Sequence, residues 1–99
     1  MDPHLTIIYN NGGWNSPKLS TSWVHPEGKA VQTGAFWVTI NKDARLAEIA
    51  AASGDVAAFR VTEPAALTET LQSALQSVRQ GRSAVVDVVI APISDQLLA

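Results

Sequence analysis

Ninety-nine residues, 46% of them hydrophobic, allow one domain at most and argue against disorder. Seven basic and nine acidic residues leave a formal net charge of -2 without a run of like charge, so the chain lacks the electrostatic footprint of a nucleic-acid or anionic-membrane binder. With no cysteine there are no disulfides, thiolate metal centres or cysteine nucleophiles, and an intracellular, cytoplasmic location is expected. No apolar stretch approaches the roughly 20 residues needed to span a bilayer, and Met1-Asp2-Pro3-His4 lacks the basic and apolar regions of a signal peptide.

The first element is a strand over residues 5–9, Leu5-Thr6-Ile7-Ile8-Tyr9, continuous in apolar character as in a parallel sheet covered on both faces. It stops at Asn10-Asn11-Gly12-Gly13, two amides and two glycines, followed by Trp14. Amide and backbone oxygens at the carboxyl end of a strand lie where open α/β sheets bind ligands. Asn-Gly is also the commonest tight hairpin turn, but Asn15, Ser16 and Pro17 make a poor return strand.

Residues 14–41 carry Trp14, Trp23, Phe36 and Trp37 among Pro17, Pro26, Gly28 and Gly34, and show neither a period of 2 nor one of 3.6. They are expected to form a long aromatic-rich loop whose tryptophans face a ligand, a partner or the sheet. Regular patterning returns over residues 42–92. Asn41 is a candidate N-cap with Asp43 in the first turn, Leu46, Ile49 and Ala50 share a helix face, and Gly54 sits at the C′ position. Residues 56–61 read as a strand. Thr62 is a candidate cap for the next helix, with Pro64 in its first turn and an apolar stripe of Leu67, Leu71, Ala74, Leu75 and Val78 closed by Gly81. Valine-rich residues 84–90 form the last strand, bounded by Pro92. Alternating strands and helices imply an α/β fold with parallel pairing.

Other polar residues read more simply. His4 and His25 lack a second ligand at metal spacing, and Ser16, Ser20, Thr21 and Ser22 lack a histidine–acid pair and a nucleophile elbow. Asp87 interrupts an apolar strand, and a contact with an arginine or a helix N-terminus is expected to hold it.

Four segments carry a resemblance to a known family. Ile7-Ile8-Tyr9-Asn10-Asn11-Gly12-Gly13-Trp14 resembles the second half of the thiamine-diphosphate motif, which opens with Gly-Asp-Gly and closes with Asn-Asn. Arg45-Leu46-Ala47-Glu48-Ile49-Ala50 before Gly54 looks like the helix after the cofactor loop. Phe59-Arg60-Val61-Thr62-Glu63-Pro64 before Leu67 is similar to the family's strand-to-helix turn, and Gly81-Arg82-Ser83-Ala84-Val85-Val86-Asp87-Val88 to its closing strand. Together they resemble the carboxyl-terminal part of the diphosphate-binding domain of acetolactate-synthase-like and 2-oxo-acid-decarboxylase-like enzymes.

The resemblance implies a single partial domain over residues 1–99, with the strand and metal–diphosphate loop in residues 5–13, and a three-stranded parallel sheet ordered first-third-second with two crossover helices. It implies thiamine diphosphate and Mg2+ as cofactors of the complete enzyme and a 2-oxo acid as its substrate. Asn11 would give its side-chain oxygen and Gly13 its carbonyl to the metal. Asn10 and Gly12 would support the diphosphate turn, and Trp14 would line or cover the cofactor channel. The motif's aspartate and the family's activating glutamate are expected to lie outside this chain, which makes the isolated chain inactive. The expected partner is the enzyme's amino-terminal part or a second copy of the chain, joined along the first strand. The alternative is a non-catalytic module that acts through the same edge and the aromatic loop.

Overall fold

The computed structural model describes residues 2–13, 15–34 and 43–91. It falls into two units, Met1–Asn10 with Asp43–Ile90, and Asn11–Lys42 with Ala91–Ala99.

The first unit holds the sheet. β1 (Leu5–Asn10), β2 (Val56–Val61) and β3 (Ser83–Val89) are parallel in the order β1-β3-β2. The valine-rich strand is therefore central, as the resemblance implies. It pairs Leu5 with Ala84 and Asn10 with Val89 on one side, and Val56 with Ser83 and Val61 with Val88 on the other. Asn10-Asn11-Gly12-Gly13 is thus no hairpin, because the partner of β1 is a parallel strand some 80 residues away.

Alternation along the strands sorts the side chains. Ala57, Val61, Ala84 and Val86 are buried against Ala74 of helix α4 (Leu67–Arg79), with Leu67, Leu71 and Val78 packed around them. Leu75, expected on the same stripe, is 41% exposed at its margin. The opposite face carries Ala58, Val85, Asp87 and helix α3 (Leu46–Ala52). The step from β1 to β2 crosses two places and the step from β2 to β3 returns one. Right-handed crossovers in opposite directions must use opposite faces, which is where α3 and α4 lie.

Helix boundaries depart locally from expectation. α3 begins at Leu46, capped by Arg45, so Asp43 precedes the helix; the candidate cap Asn41 lies outside the described residues. The buried residue of α3 is Ala47, whereas Ile49 is exposed. A helix of seven residues presents little more than one side-chain position to the sheet, and alanine allows close approach. Glu63, not Thr62, caps a 3-10 turn over Pro64–Ala66 that leads into α4. At the other end of α4 the Gly81 N–H donates to the Val78 carbonyl and the Arg82 N–H to the Ser77 carbonyl, a Schellman closure with Gly81 at φ 91°. The exposed Arg82–Asp55 pair, 2.8 Å apart, joins this turn to the start of β2.

The second unit differs most from the sequence reading. Residues 14–41 were expected as loop, yet α1 (Asn15–Val24) and α2 (Lys29–Thr33) fall within them. Pro17 sits in the first turn of α1, where its missing N–H costs nothing, and its carbonyl accepts from the Thr21 hydroxyl at 2.9 Å. Trp23 and Val24 are 75% and 70% exposed in this chain, so α1 offers no buried apolar stripe for a periodicity argument to detect.

Candidate functional site

β1 delivers the amide pair. Asn10 is its last residue and is buried, 5% exposed. Its carbonyl accepts the Ile90 N–H at 2.9 Å, the final rung on that side of the sheet. Its main chain is thus committed to the fold, while its side-chain Nδ2 is buried without a hydrogen-bond partner. Leaving a buried donor unpaired costs about 1 to 3 kcal/mol, and the described residues supply this atom with no acceptor.

Asn11, Gly12 and Gly13 open the second unit. The Asn11 Oδ1 accepts the Gly13 N–H at 3.2 Å, a side-chain turn of the kind asparagine favours. Gly12 takes φ 78°, which glycine adopts without penalty. The Asn11 oxygen keeps a second lone pair. An amide oxygen with one lone pair left is a hard donor of the kind magnesium takes, and the nearby glycine can bring its backbone close to an ion. The donors present therefore fit a magnesium–diphosphate group in kind. Of the residues expected at the site, Asn10 to Gly13 are placed as described; Trp14 lies outside the described residues.

The structure adds a polar feature that sequence reading interpreted otherwise. Asp87 is fully buried, and neither carboxylate oxygen has a hydrogen-bond partner. The expected contact with an arginine or a helix N-terminus is not made. Register pairing puts Asp87 opposite Arg60 on one side and Ile8 on the other, on the α3 face. Among the described residues no cluster of three or more His, Cys, Asp or Glu could hold a metal ion. No described helix is long and apolar enough to cross a membrane.

A three-stranded parallel sheet with helices places the chain in the open α/β class, whose members bind ligands at the carboxyl ends of their strands. Residues 2–88 match the family described as thiamine pyrophosphate enzyme, C-terminal TPP binding domain. The chain belongs to this family. Neither a curated protein nor a solved structure gives a significant match.

Proposed function

We propose that the chain supplies part of the magnesium–thiamine diphosphate site of an enzyme acting on 2-oxo acids, of the acetolactate-synthase-like or 2-oxo-acid-decarboxylase-like kind. The observation that supports this most is the unpartnered buried Nδ2 of Asn10 at the end of β1, in a chain of a TPP-binding family. In this reading Asn11 Oδ1 and the Gly13 carbonyl hold Mg2+, Gly12 lets the backbone turn closely around it, and the Asn10 amide donates to a diphosphate oxygen. The cofactor, when bound, supplies carbanion stabilisation next to the substrate carbonyl. The chain's own residues bind and orient it. The 99 residues contain no Gly-Asp-Gly, so a bound ion would take its remaining ligands from the cofactor, water and another polypeptide segment. The isolated chain does not turn over substrate.

Calorimetry tests this directly. Titration of the full chain with thiamine diphosphate in the presence of Mg2+ should give saturable submillimolar binding that Asn11→Ala weakens about tenfold, the loss expected for one ligand contact. Silence with the wild-type chain refutes a retained cofactor role.

A second reading, an interaction module without cofactor, is favoured by one observation. Ile7 and Tyr9 lie on the edge strand β1, 38% and 72% exposed in this chain, on the face where Leu5 packs against the α4 core. An apolar edge of this kind invites pairing with a second copy or with the amino-terminal part of the enzyme. Sedimentation of the wild-type chain should show association that Ile7→Lys abolishes. A stable monomer in both overturns that reading.

A further inference from the structure

The two faces of the sheet in the first unit are covered unequally. On one face α4 runs for thirteen residues, buries Ala74 and packs Leu67, Leu71 and Val78 against the core. On the other, α3 has seven residues, no side-chain cap and a single buried residue, Ala47. Its first turn does not close on the sheet. A cavity of about 320 Å³ lies between Arg45, Ala47 and Glu48 on the helix side and Ala58, Arg60 and Asp87 on the strands, toward their carboxyl ends. We propose that α3 is a cover that opens by itself while the rest of the sheet stays folded, and that the uncompensated burial of Asp87 beneath it keeps it poised to do so.

Three observations carry this. Among the described residues, every buried side-chain atom without a hydrogen-bond partner lies on the α3 face: both oxygens of Asp87, which is 0% exposed, and Nδ2 of Asn10, two register steps further along. The buried strand residues of the α4 face, Ala57, Val61, Ala84 and Val86, are all apolar. A carboxylate held in this way bears its desolvation cost in full, and water reaches it when the helix lifts. Opening also gives up little, namely the burial of Ala47 and the partial burial of Leu46, Ala50 and Ala51, whereas detaching α4 would uncover several large side chains. Finally, Ser53, Gly54 and Asp55, all exposed, join α3 to β2 at the end of the helix remote from the cavity and give it a short pivot. Segments with few apolar contacts are the ones that open below the global unfolding free energy. Open α/β sheets take ligands at the carboxyl ends of their strands, so opening widens the cavity into a cleft at that end, on the face that carries Asn10.

Native-state hydrogen exchange, followed by NMR on the full chain without thiamine diphosphate or magnesium, reads the opening directly, and its failure leaves the cofactor reading standing. The reporters in α3 are the Ile49 N–H, which donates to the Arg45 carbonyl at 3.0 Å, and its neighbours Ala50 and Ala51. Ala74 and Leu75 report on α4. The α3 amides should exchange about a hundredfold faster than those of α4 or more, and low urea should hardly change their rates while it speeds α4, because a local opening exposes little surface. Asp87→Val should slow α3 exchange about ten- to a hundredfold. It should slow α4 exchange by the same factor, because the open form of α3 already hydrates the carboxylate and the whole gain from removing it is felt in that step. Asp87→Asn keeps the shape without the charge and serves if the valine variant does not fold; about tenfold slowing of α3 exchange is then expected. Exchange of α3 with the rate and urea dependence of α4 overturns the proposal. So does α3 exchange that keeps its wild-type rate when the Asp87 charge is removed.

Discussion

Gly81 and Gly54 form a matched pair whose substitution should have opposite signs. Both follow helices, α4 and α3, and at both a new Cβ would meet nothing within 4 Å. Sterics outside the backbone therefore cancel from the comparison. Gly81 has φ 91° in the Schellman closure of α4, whereas Gly54 is not among the positive-φ glycines. Alanine in the left-handed region costs roughly 1 to 2 kcal/mol. Where the conformation is compatible, Gly→Ala stabilises by about 0.4 to 1 kcal/mol, by restricting the unfolded chain. Gly81→Ala should thus lower unfolding free energy by about 1 to 2 kcal/mol, and Gly54→Ala should raise it by up to about 1 kcal/mol. Urea denaturation read by far-ultraviolet circular dichroism, with the slope unchanged, measures both. Thermal scans should move by about 4 to 8 °C for each kcal/mol in a chain of this size. Changes of the same sign at both positions would refute the argument, because the left-handed backbone at Gly81 is the only term assigned to separate them. The stakes extend beyond α4, since β3 starts two residues after Gly81 and its register sets the placement of Asp87.

Two further perturbations bear on the core. Val86→Ala removes two methyl groups from one of the two largest fully buried side chains among the described residues and should cost about 2 to 3 kcal/mol in the same urea assay; a loss below about 0.5 kcal/mol would mean that the site collapses around the gap or is not packed. Asp87→Val replaces an unpaired buried carboxylate by an apolar side chain on a central strand and should stabilise the free chain by about 1 to 3 kcal/mol. Destabilisation instead would mean that the carboxylate has a partner in solution.

The strands were legible because β-branched runs bounded by glycine, proline and amides have few other readings. Residues 56–61 match β2, and the β1 and β3 readings are each off by about one residue. Their order was not legible from the residues. Parallel pairing follows from the alternation of helices and strands, but the central position of β3 came from the family resemblance. α1 escaped because its Trp23 and Val24 are adjacent and exposed and make no apolar stripe, and α2 because five residues are too few to show a period; for α1 the useful signal was local, a proline in a first turn with a threonine four residues on. α3 was placed too early because an asparagine cap is a local preference, whereas the helix starts where Ala47 meets the sheet. The corner residues Asn10 to Gly13 were legible as a polar strand end, but which amide atoms remain free depends on a ladder rung and a side-chain turn that only the folded chain reveals.

That distribution of free atoms separates the roles of the two asparagines. The Asn10 carbonyl is taken by Ile90 N–H, while its Nδ2 is buried and unpartnered. The Asn11 oxygen already accepts Gly13 N–H. On the first side chain the buried atom left without a partner is a donor, and on the second the turn fixes an acceptor that keeps a lone pair. A diphosphate has acceptors and no donors, whereas a magnesium ion requires acceptors, so Asn10 is suited to the diphosphate and Asn11 to the metal. Asn10→Ala should consequently weaken thiamine diphosphate binding about tenfold and leave the affinity for Mg2+ without cofactor unchanged. Asn11→Ala should weaken both, because the metal carries the diphosphate with it, and it should also loosen the Gly13 turn. Parallel calorimetric titrations with Mg2+ alone and with Mg2+ plus thiamine diphosphate read the two effects separately. If Asn10→Ala depresses the magnesium titration as strongly as Asn11→Ala does, the division of labour fails, and both amides must contact the ion through side-chain arrangements other than those the fold holds.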